Sequence, residues 1–414
     1  MMKKLLLVGA LLLGIGSPSS AGSLEAYQKA CNDHNTSKCF DIGLMYELGK
    51  GIGQDFPKAV GFYRKACDGG DMYACSALGI MYFNGKGVAK DIARARALWT
   101  KACEKKDGKG CYNLGVLYDE GNGVTRDAFR ARDLYHTACD SGDKNGCYNL
   151  GHMYDKGSGI EQVPEKAVAL YTKACDLGEI KGCYNLGVMY DEGSGVAHNS
   201  AKAIKWYAIA CKRGHKDGCY NLGITYEYGK GAKQDTARAA PYYKQSCDLG
   251  LAKGCFNLGT LYDNGTGIKK NPANAKKLYV KACHLGSADG CYVLGSMYYQ
   301  GERVEKSFEK AKMLFRKACD GGRVEGCYNL GYLYSNGKGV KPNAAKAARL
   351  YEKSCKEGYA VGCHNLGLLY YKGKGVKKSV TQAKALFRQA CKGGYKDGCK
   401  NYTCLLYTSP SPRD

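Results

Sequence analysis

The chain has 414 residues and carries 62 Lys plus Arg against 38 Asp plus Glu, a formal charge of +24 that excludes an acidic, solvating disordered chain. Hydrophobic residues make up 44%, enough for a large buried core, and 57 Gly against 8 Pro excludes a Pro-rich linker and assigns glycine to particular positions. Twenty-three Cys exceed what a reduced compartment holds without a metal cluster or a disulfide framework, and seven His leave little for a metal.

The first predicted element is a leader. Met1-Met2-Lys3-Lys4 precedes an apolar run from Leu5 to Ile15, and small residues follow from Ser17 to Ala21, so residues 1–21 read as a secretory signal cut after Ala21. The apolar run is too short for a membrane span, and the first cysteine, Cys31, lies too far on to accept a lipid. The expectation is an unanchored protein, secreted or periplasmic, monomeric and without a membrane span.

Residues 22–401 are one unit repeated. Cysteines recur as eleven pairs, each eight apart and each pair 36 beyond the last. A period of this size means stacked supersecondary units, about ten of them with a half-unit at each end. In the unit that starts near Gly110, Cys111, Leu114, Gly115 and Tyr118 share one stripe of a helix, A, which stops at Gly121-Asn122-Gly123, where glycine supplies positive φ. Asp127 then caps a second helix, B, whose Ala131, Leu134, Tyr135 and Ala138 share a face. The cap row reads Asp55, Asp91, Asp127, Val163, Asn199, Asp235, Asn271, Ser307, Asn343 and Ser379, so nine of ten can bond the free amides of the first turn.

Gly43 recurs every 36 residues to Gly367, Tyr46 to Tyr370 and Ala59 to Ala383, while the B helices carry an aromatic row from Tyr63 to Phe387. Large side chains against small ones at fixed helical offsets predict interlocked hairpins, with the aromatics in the core rather than around a cofactor. No cofactor is expected.

The unit Leu-Gly-x-x-Tyr, Gly-x-Gly-Val, Lys-Ala and Tyr-x-Lys-Ala-Cys resembles the Sel1-like repeat, a relative of the tetratricopeptide repeat, over residues 23–399. With a Cys-x7-Cys in every unit and a secretory leader, the chain resembles the Helicobacter cysteine-rich protein family. The resemblance implies an all-α fold, a right-handed superhelix of αα-hairpins. Two departures stand out: Gly301-Glu302-Arg303-Val304 lacks the second turn glycine, and Ser76-Ala77 stands where other units read Tyr-Asn.

Translational repetition points to pairing each cysteine with the one eight residues on, which treats every unit alike: Cys31 with Cys39, Cys67 with Cys75, Cys103 with Cys111, Cys139 with Cys147, Cys175 with Cys183, Cys211 with Cys219, Cys247 with Cys255, Cys283 with Cys291, Cys319 with Cys327, Cys355 with Cys363 and Cys391 with Cys399. Each bridge would pin the end of one B helix to the start of the next A helix. Zinc is the rival reading, but it wants four ligands, and no His or third Cys recurs with the pairs, so no metal site is expected.

A second face of helix A carries Asn113, Leu117 and Glu120, and in the related superhelices that face lines the concave groove. Asn113, Asn149, Asn185, Asn221, Asn257, Asn329 and Asn365 form a row there, with Leu or Met four residues on in most units. A carboxamide both donates and accepts, which suits a peptide main chain, so this row is the candidate ligand-binding groove; the alternative is an Asn that bonds only its own scaffold. Carboxylates at Asp119, Asp155, Asp191, Glu227 and Asp263 stand beside it, read as partners for exposed Lys and Arg. The surplus positive charge, including turn residues Lys50, Lys86, Lys230, Lys338 and Lys374, favours anionic surfaces; nucleic acid does not suit an exported protein. Expected partners are peptides or proteins, including peptidoglycan fragments or host-surface ligands.

The resemblance also implies a second activity, since members of the cysteine-rich family are often described as β-lactamases or penicillin binders. A serine β-lactamase needs Ser-x-x-Lys with further Ser-Asp-Asn and Lys-Thr-Gly elements. Ser141-Gly-Asp-Lys144 and Ser307-Phe-Glu-Lys310 match the first element alone, and no catalytic residue is assigned. Residues 402–414, with the twenty-third cysteine at Cys404, leave the repeat pattern and resemble translated cloning or sequencing-adapter sequence, expected to lie outside the fold.

Overall fold

In a computed structural model the described residues, 21–407, form 22 helices and no strand. They fall into two compact units divided after Arg213. The first holds α1 Ala21–Asn32, α2 Thr36–Leu48, α3 Phe56–Asp68, α4 Met72–Asn84, α5 Ile92–Glu104, α6 Gly108–Glu120, α7 Ala128–Asp140, α8 Lys144–Lys156, α9 Pro164–Asp176, α10 Ile180–Glu192 and α11 Ser200–Lys212. The second holds α12 Lys216–Tyr228, α13 Thr236–Asp248, α14 Ala252–Asn264, α15 Pro272–His284, α16 Ala288–Gln300, α17 Phe308–Asp320, α18 Val324–Asn336, α19 Ala344–Lys356, α20 Ala360–Lys372, α21 Val380–Lys392 and α22 Lys396–Tyr407. Even-numbered helices are the A helices and odd-numbered ones, from α3, the B helices. Each A helix packs most heavily on the B helix that follows, giving five hairpins per unit, with α1 and α22 as the terminal half-units. The fold is the all-α hairpin solenoid that the period predicts.

The turn chemistry is local. Gly121 stops α6 at φ 70° and its N–H returns to the Leu117 carbonyl at 3.0 Å. Gly123, at φ 74°, lies against α5, where a Cβ would meet Ile92 at 2.7 Å. Arg303 occupies this second position in its own turn at φ 63°, a conformation costly to a side chain, and its guanidinium bonds the Asp263 carboxylate. Nine of the ten B-helix caps accept from the backbone N–H three residues on, as Asp127 does from Arg130 at 2.9 Å. Val163 makes no such bond, and Pro164 follows it where no amide needs capping.

The glycine row sets the hairpin spacing. A Cβ on Gly115 would lie 2.8 Å from the ring of Tyr135, and one on Gly187 2.7 Å from that of Tyr207. The B-helix aromatics therefore lie flat on bare A-helix backbone, and Tyr63, Trp99, Tyr135, Tyr171, Tyr243, Phe315 and Phe387 are all buried. Ten disulfides have the expected spacing of eight residues, with Cα–Cα distances of 4.4 to 4.8 Å; Cys211 and Cys219 are disulfide-bonded as well.

Two sequence expectations need comment at the ends. The leader, residues 1–21, lies outside the described residues apart from Ala21, the first residue of α1. Residues 402–407, expected outside the fold, instead continue α22: Leu405 is buried and, with Tyr402, packs on Ala383 and Phe387. Tyr402 and Leu405, three residues apart, still place apolar side chains on the inward stripe, which suffices to extend a helix already docked on α21. Residues 408–414 lie outside the described residues. No described helix is long and apolar enough to cross a membrane.

Candidate functional site

In unit 1, α4 packs on α6 and α6 on α8, whereas no two successive B helices in the described residues meet as closely. In this part of unit 1 the A helices therefore lie on the inner side of the stack. That face is built from positions one, two and five after the A-helix cysteine. It opens into a cleft of about 460 Å³, lined by Phe40, Tyr73, Ser76, Ala77, Ile80, Tyr112, Asn113 and Leu177 together with the N-terminal turns of α6 and α8. The volume falls within the roughly 300–1,000 Å³ of small-ligand pockets.

The polar groups of the cleft are fixed by helix capping. Asp107 Oδ2 accepts from Gly110 N at 2.7 Å and from Ser76 Oγ at 2.6 Å, and Asp143 accepts from Gly146 N at 2.8 Å. Burial raises the pKa of both carboxyls, against those hydrogen bonds and the nearby Lys109. The A-helix caps of unit 1 include Asp71, Asp107, Asp143 and Glu179; the corresponding positions in unit 2 include Leu251, Ser287, Arg323 and Tyr359. At the cleft itself the carboxyls of Asp107 and Asp143 are matched by the ammonium groups of Lys109 and Lys144.

The asparagine row divides. Asn113 and Asn149 are buried at 4% and 6% exposure, while Asn185, Asn221, Asn257, Asn329 and Asn365 are half-buried. Asn365 Nδ2 donates to the hydroxyl of Tyr328, 37 residues earlier, at 3.5 Å, whereas Asn149 Nδ2 is buried without a partner. Asn113 and Asn329 line pockets instead. The Leu/Met row expected beside them is core: Leu117 is 1% exposed and Met153 2%. The reason is that an A helix is packed by its own B helix, the preceding one and its A neighbours, which widens its buried arc beyond a single stripe.

The carboxylates are not mainly surface ion-pair partners. Tyr135 donates to Asp119 at 3.3 Å, Tyr171 to Asp155 at 3.2 Å, Tyr207 to Asp191 at 3.3 Å and Tyr279 to Asp263 at 3.4 Å; Tyr63 reaches Glu47 at 2.6 Å, and Tyr243 bonds Glu227. Every acceptor lies 16 residues before its donor. Asp119, Asp155 and Asp263 keep ion pairs with Arg126, Lys156 and Arg303 as well. A sequence signal for this was present: where the B-helix residue is Phe315 or Phe387, the position 16 before it is Tyr299 or Tyr371, and before Trp99 it is Phe83. The acid appears only where a phenol can meet it.

Much of the positive charge is also placed. Lys58, Arg94, Arg130, Lys166, Lys202, Arg238, Lys310 and Lys346, each three residues past a B-helix cap, sit 4.3 to 5.6 Å over the ring of the Tyr46-to-Tyr370 row.

These phenols set an alkaline limit. Burial, aided by the neighbouring carboxylates, pushes Tyr112 up to about 12 and drives Tyr135 well above its ordinary value; Tyr351, pushed to about 12, is raised by burial and by Tyr328. An unfolded Tyr ionises near pH 10, so the folded state holds these protons longer. Stability is therefore full below about pH 10 and falls as pH rises through about 12. Chemical denaturation at successive pH values, followed with tyrosinate absorbance, reads this directly; complete tyrosine ionisation near pH 10 with the helices intact would contradict it.

The two Ser-x-x-Lys pairs differ in setting. Ser141 terminates α7 through its backbone N–H and, with Lys144, lines the cleft, where Lys144 Nζ donates to the Gly178 carbonyl at 3.3 Å. Ser307 caps α17 through Lys310 N at 3.3 Å, and the Lys310 ammonium lies over Tyr298.

Against known proteins, the model of the Sel1 repeat matches ten segments: 39–71, 73–107, 108–143, 145–179, 180–215, 216–251, 252–287, 288–322, 324–359 and 360–395. Among solved structures, the chain is similar to a protective antigen of uropathogenic Escherichia coli displaying an SLR fold, at 28% identity and a TM-score of 0.65, covering 94% of this chain and 91% of that one. It is similar in fold to a Sel1 repeat protein from Oxalobacter formigenes, at 24% identity and a TM-score of 0.61, over 76% of this chain and 92% of that one. Helicobacter pylori cysteine rich protein B matches at 39% identity over 31% of this chain and 93% of its own, with a TM-score of 0.27. No curated protein matches.

Proposed function

The chain belongs to the Sel1 repeat family, and from that premise we propose that it is an exported scaffold that binds peptides or proteins on the inner face of its A helices. Sel1 repeats typically mediate protein interactions. A disulfide in every repeat fits an oxidising, extracytoplasmic environment, and the leader read from residues 1–21 gives the route there. Ligands in that setting are wall-derived peptides or proteins of a host surface.

The observation that carries the reading is the cleft on the inner face of unit 1, where exposed Tyr73 and Leu177 stand beside fixed polar groups at the helix N-termini. Large apolar side chains left open to solvent next to rigid hydrogen-bonding groups are what a peptide site needs. β-Lactam hydrolysis, the alternative that family resemblance suggests, has less behind it: Ser307 and Lys310 are held in a helix cap, and Ser141 and Lys144, which line the cleft, stand without the Ser-Asp-Asn and Lys-Thr-Gly elements.

Replacing Tyr73 and Leu177 together by Glu should weaken binding of peptides selected on the full chain by at least about tenfold, since two apolar contacts are lost and charges stand where they were. Both side chains are largely exposed, so the thermal midpoint should not move. Titration of the selected peptide by calorimetry checks the first expectation; undiminished affinity would remove the cleft from the binding surface.

A further inference from the structure

Among the described residues, eight of the ten tyrosines in the Tyr46-to-Tyr370 row carry a cation of their own chain 4.3 to 5.6 Å from the ring centre, supplied from twelve residues on. In the other two repeats that position is neutral: Asn274 beyond Tyr262 and Gln382 beyond Tyr370. A second cation position lies 18 residues before the tyrosine. From it Arg64 Nη2 donates to the Tyr82 hydroxyl at 2.9 Å, and Arg316 Nη2 to that of Tyr334 at 3.0 Å. Before Tyr262 it holds Lys244, so that repeat keeps a basic residue at one of the two positions. Before Tyr370 it holds Glu352, the one acid among the ten. The last tyrosine of the row thus has neither basic residue, and a carboxylate stands in place of one of them.

Tyr370 lines a pocket of about 280 Å³ formed by α19, α20 and α21, together with Glu352, Leu366, Gln382 and Leu386. Gln382 is exposed and carries no charge. Glu352 pairs at 2.7 Å with Lys356, which also lines the pocket, and both side chains are half exposed or more. A pair so open to solvent holds neither partner firmly, so the carboxylate remains open to a second cation. We propose that this pocket receives a basic side chain of another polypeptide, an arginine or lysine whose charged group lies over the Tyr370 ring and against Glu352. The face of a phenol ring attracts cations, and the chain itself builds that contact eight times. Leu366 and Leu386 offer apolar surface for the methylene stem, which a small free cation would leave unused. The volume suits one side chain, since whole small ligands occupy roughly 300–1,000 Å³. A chain of charge +24 repels cations at long range, so the pocket selects a residue of a partner held by further contacts. It belongs to unit 2 and shares no residue with the unit 1 cleft, so the inference goes beyond the inner-face reading and does not depend on it.

The test uses the oxidised full chain with isotope-labelled tyrosine rings, the Tyr370 signal being assigned by its absence in Tyr370→Phe. The probe is a blocked Gly-Arg-Gly peptide, with the citrulline peptide, a neutral isostere, as its control. The Tyr370 signal should move saturably with the arginine peptide, in the millimolar range, and stay in place with the citrulline peptide. Gln382→Lys supplies the cation that eight other repeats carry, so it should lower the affinity at Tyr370 by at least about tenfold with the fold intact. Gln382→Ala should bind at least as well as the parent, and Glu352→Gln should lose about threefold, the effect of one exposed charge contact. An equal response to both peptides, no response at all, or unchanged binding by Gln382→Lys would overturn the site. Tetramethylammonium moving the Tyr370 signal at the same concentrations as the arginine peptide would overturn the side chain as its occupant.

Discussion

Replacing Cys139 and Cys147 together by Ala lowers the local stability of unit 1 by about 2.5 kcal/mol, the chain-entropy value for a loop this short. The pair is buried at the junction of α7 and α8, so the bridge joins hairpins that otherwise share only neighbour contacts. Because stability in such an array is local, a global melting temperature dilutes the effect. Amide exchange resolves it: protection in α7 and α8 should fall by roughly 70-fold, the tenfold per 1.4 kcal/mol conversion of that loss, while α2 and α3 stay near their parent values. Exchange that accelerates equally through both units would show that the bridges act on the array as one body. Full reduction extends the same loss to every repeat and should open the fold.

The second large effect sets two glycines against each other. Gly115→Ala should destabilise by about 1–3 kcal/mol, because its new methyl would stand 2.8 Å from the ring of Tyr135, which is fully buried and cannot retreat. Gly61→Ala, in the interior of α3 with nothing near its Cβ, should stabilise by about 0.5–1 kcal/mol through lost chain entropy alone. Denaturant unfolding of the two variants separates packing from propensity by sign. A stabilised Gly115→Ala would mean that the A and B helices of this hairpin are not held at the distance described.

Why some features could be read in advance follows from their range. Caps such as Asp127, stops such as Gly121 and the cysteine spacing are decided within a few residues, and these expectations match the structure. The glycine row was legible as close approach because a side chain missing in every repeat, opposite an aromatic in every repeat, leaves room only for contact. The carboxylates were read only in part, as ion-pair partners, because Asp119 and Tyr135 lie 16 residues apart across a turn, beyond any single-helix periodicity, although their joint variation along the chain encoded the pair. Leu117 was misplaced because helix spacing puts it beside Asn113, whereas the number of neighbours around the helix decides which of the two is core. The division of the Asn row was hidden for the same reason: Asn365 bonds Tyr328, 37 residues earlier and on another helix.

The account holds that a disulfide-stapled stack meets its partners through a binding face rather than a reactive centre. Its most direct test measures two things on one preparation of the oxidised full chain: titration with a selected peptide, and turnover of a chromogenic β-lactam. Saturable binding that the Tyr73→Glu, Leu177→Glu variant loses, with β-lactam turnover at the buffer background, is the predicted result. Turnover of several per second, an ordinary enzymatic rate, in a preparation that binds no peptide would contradict it.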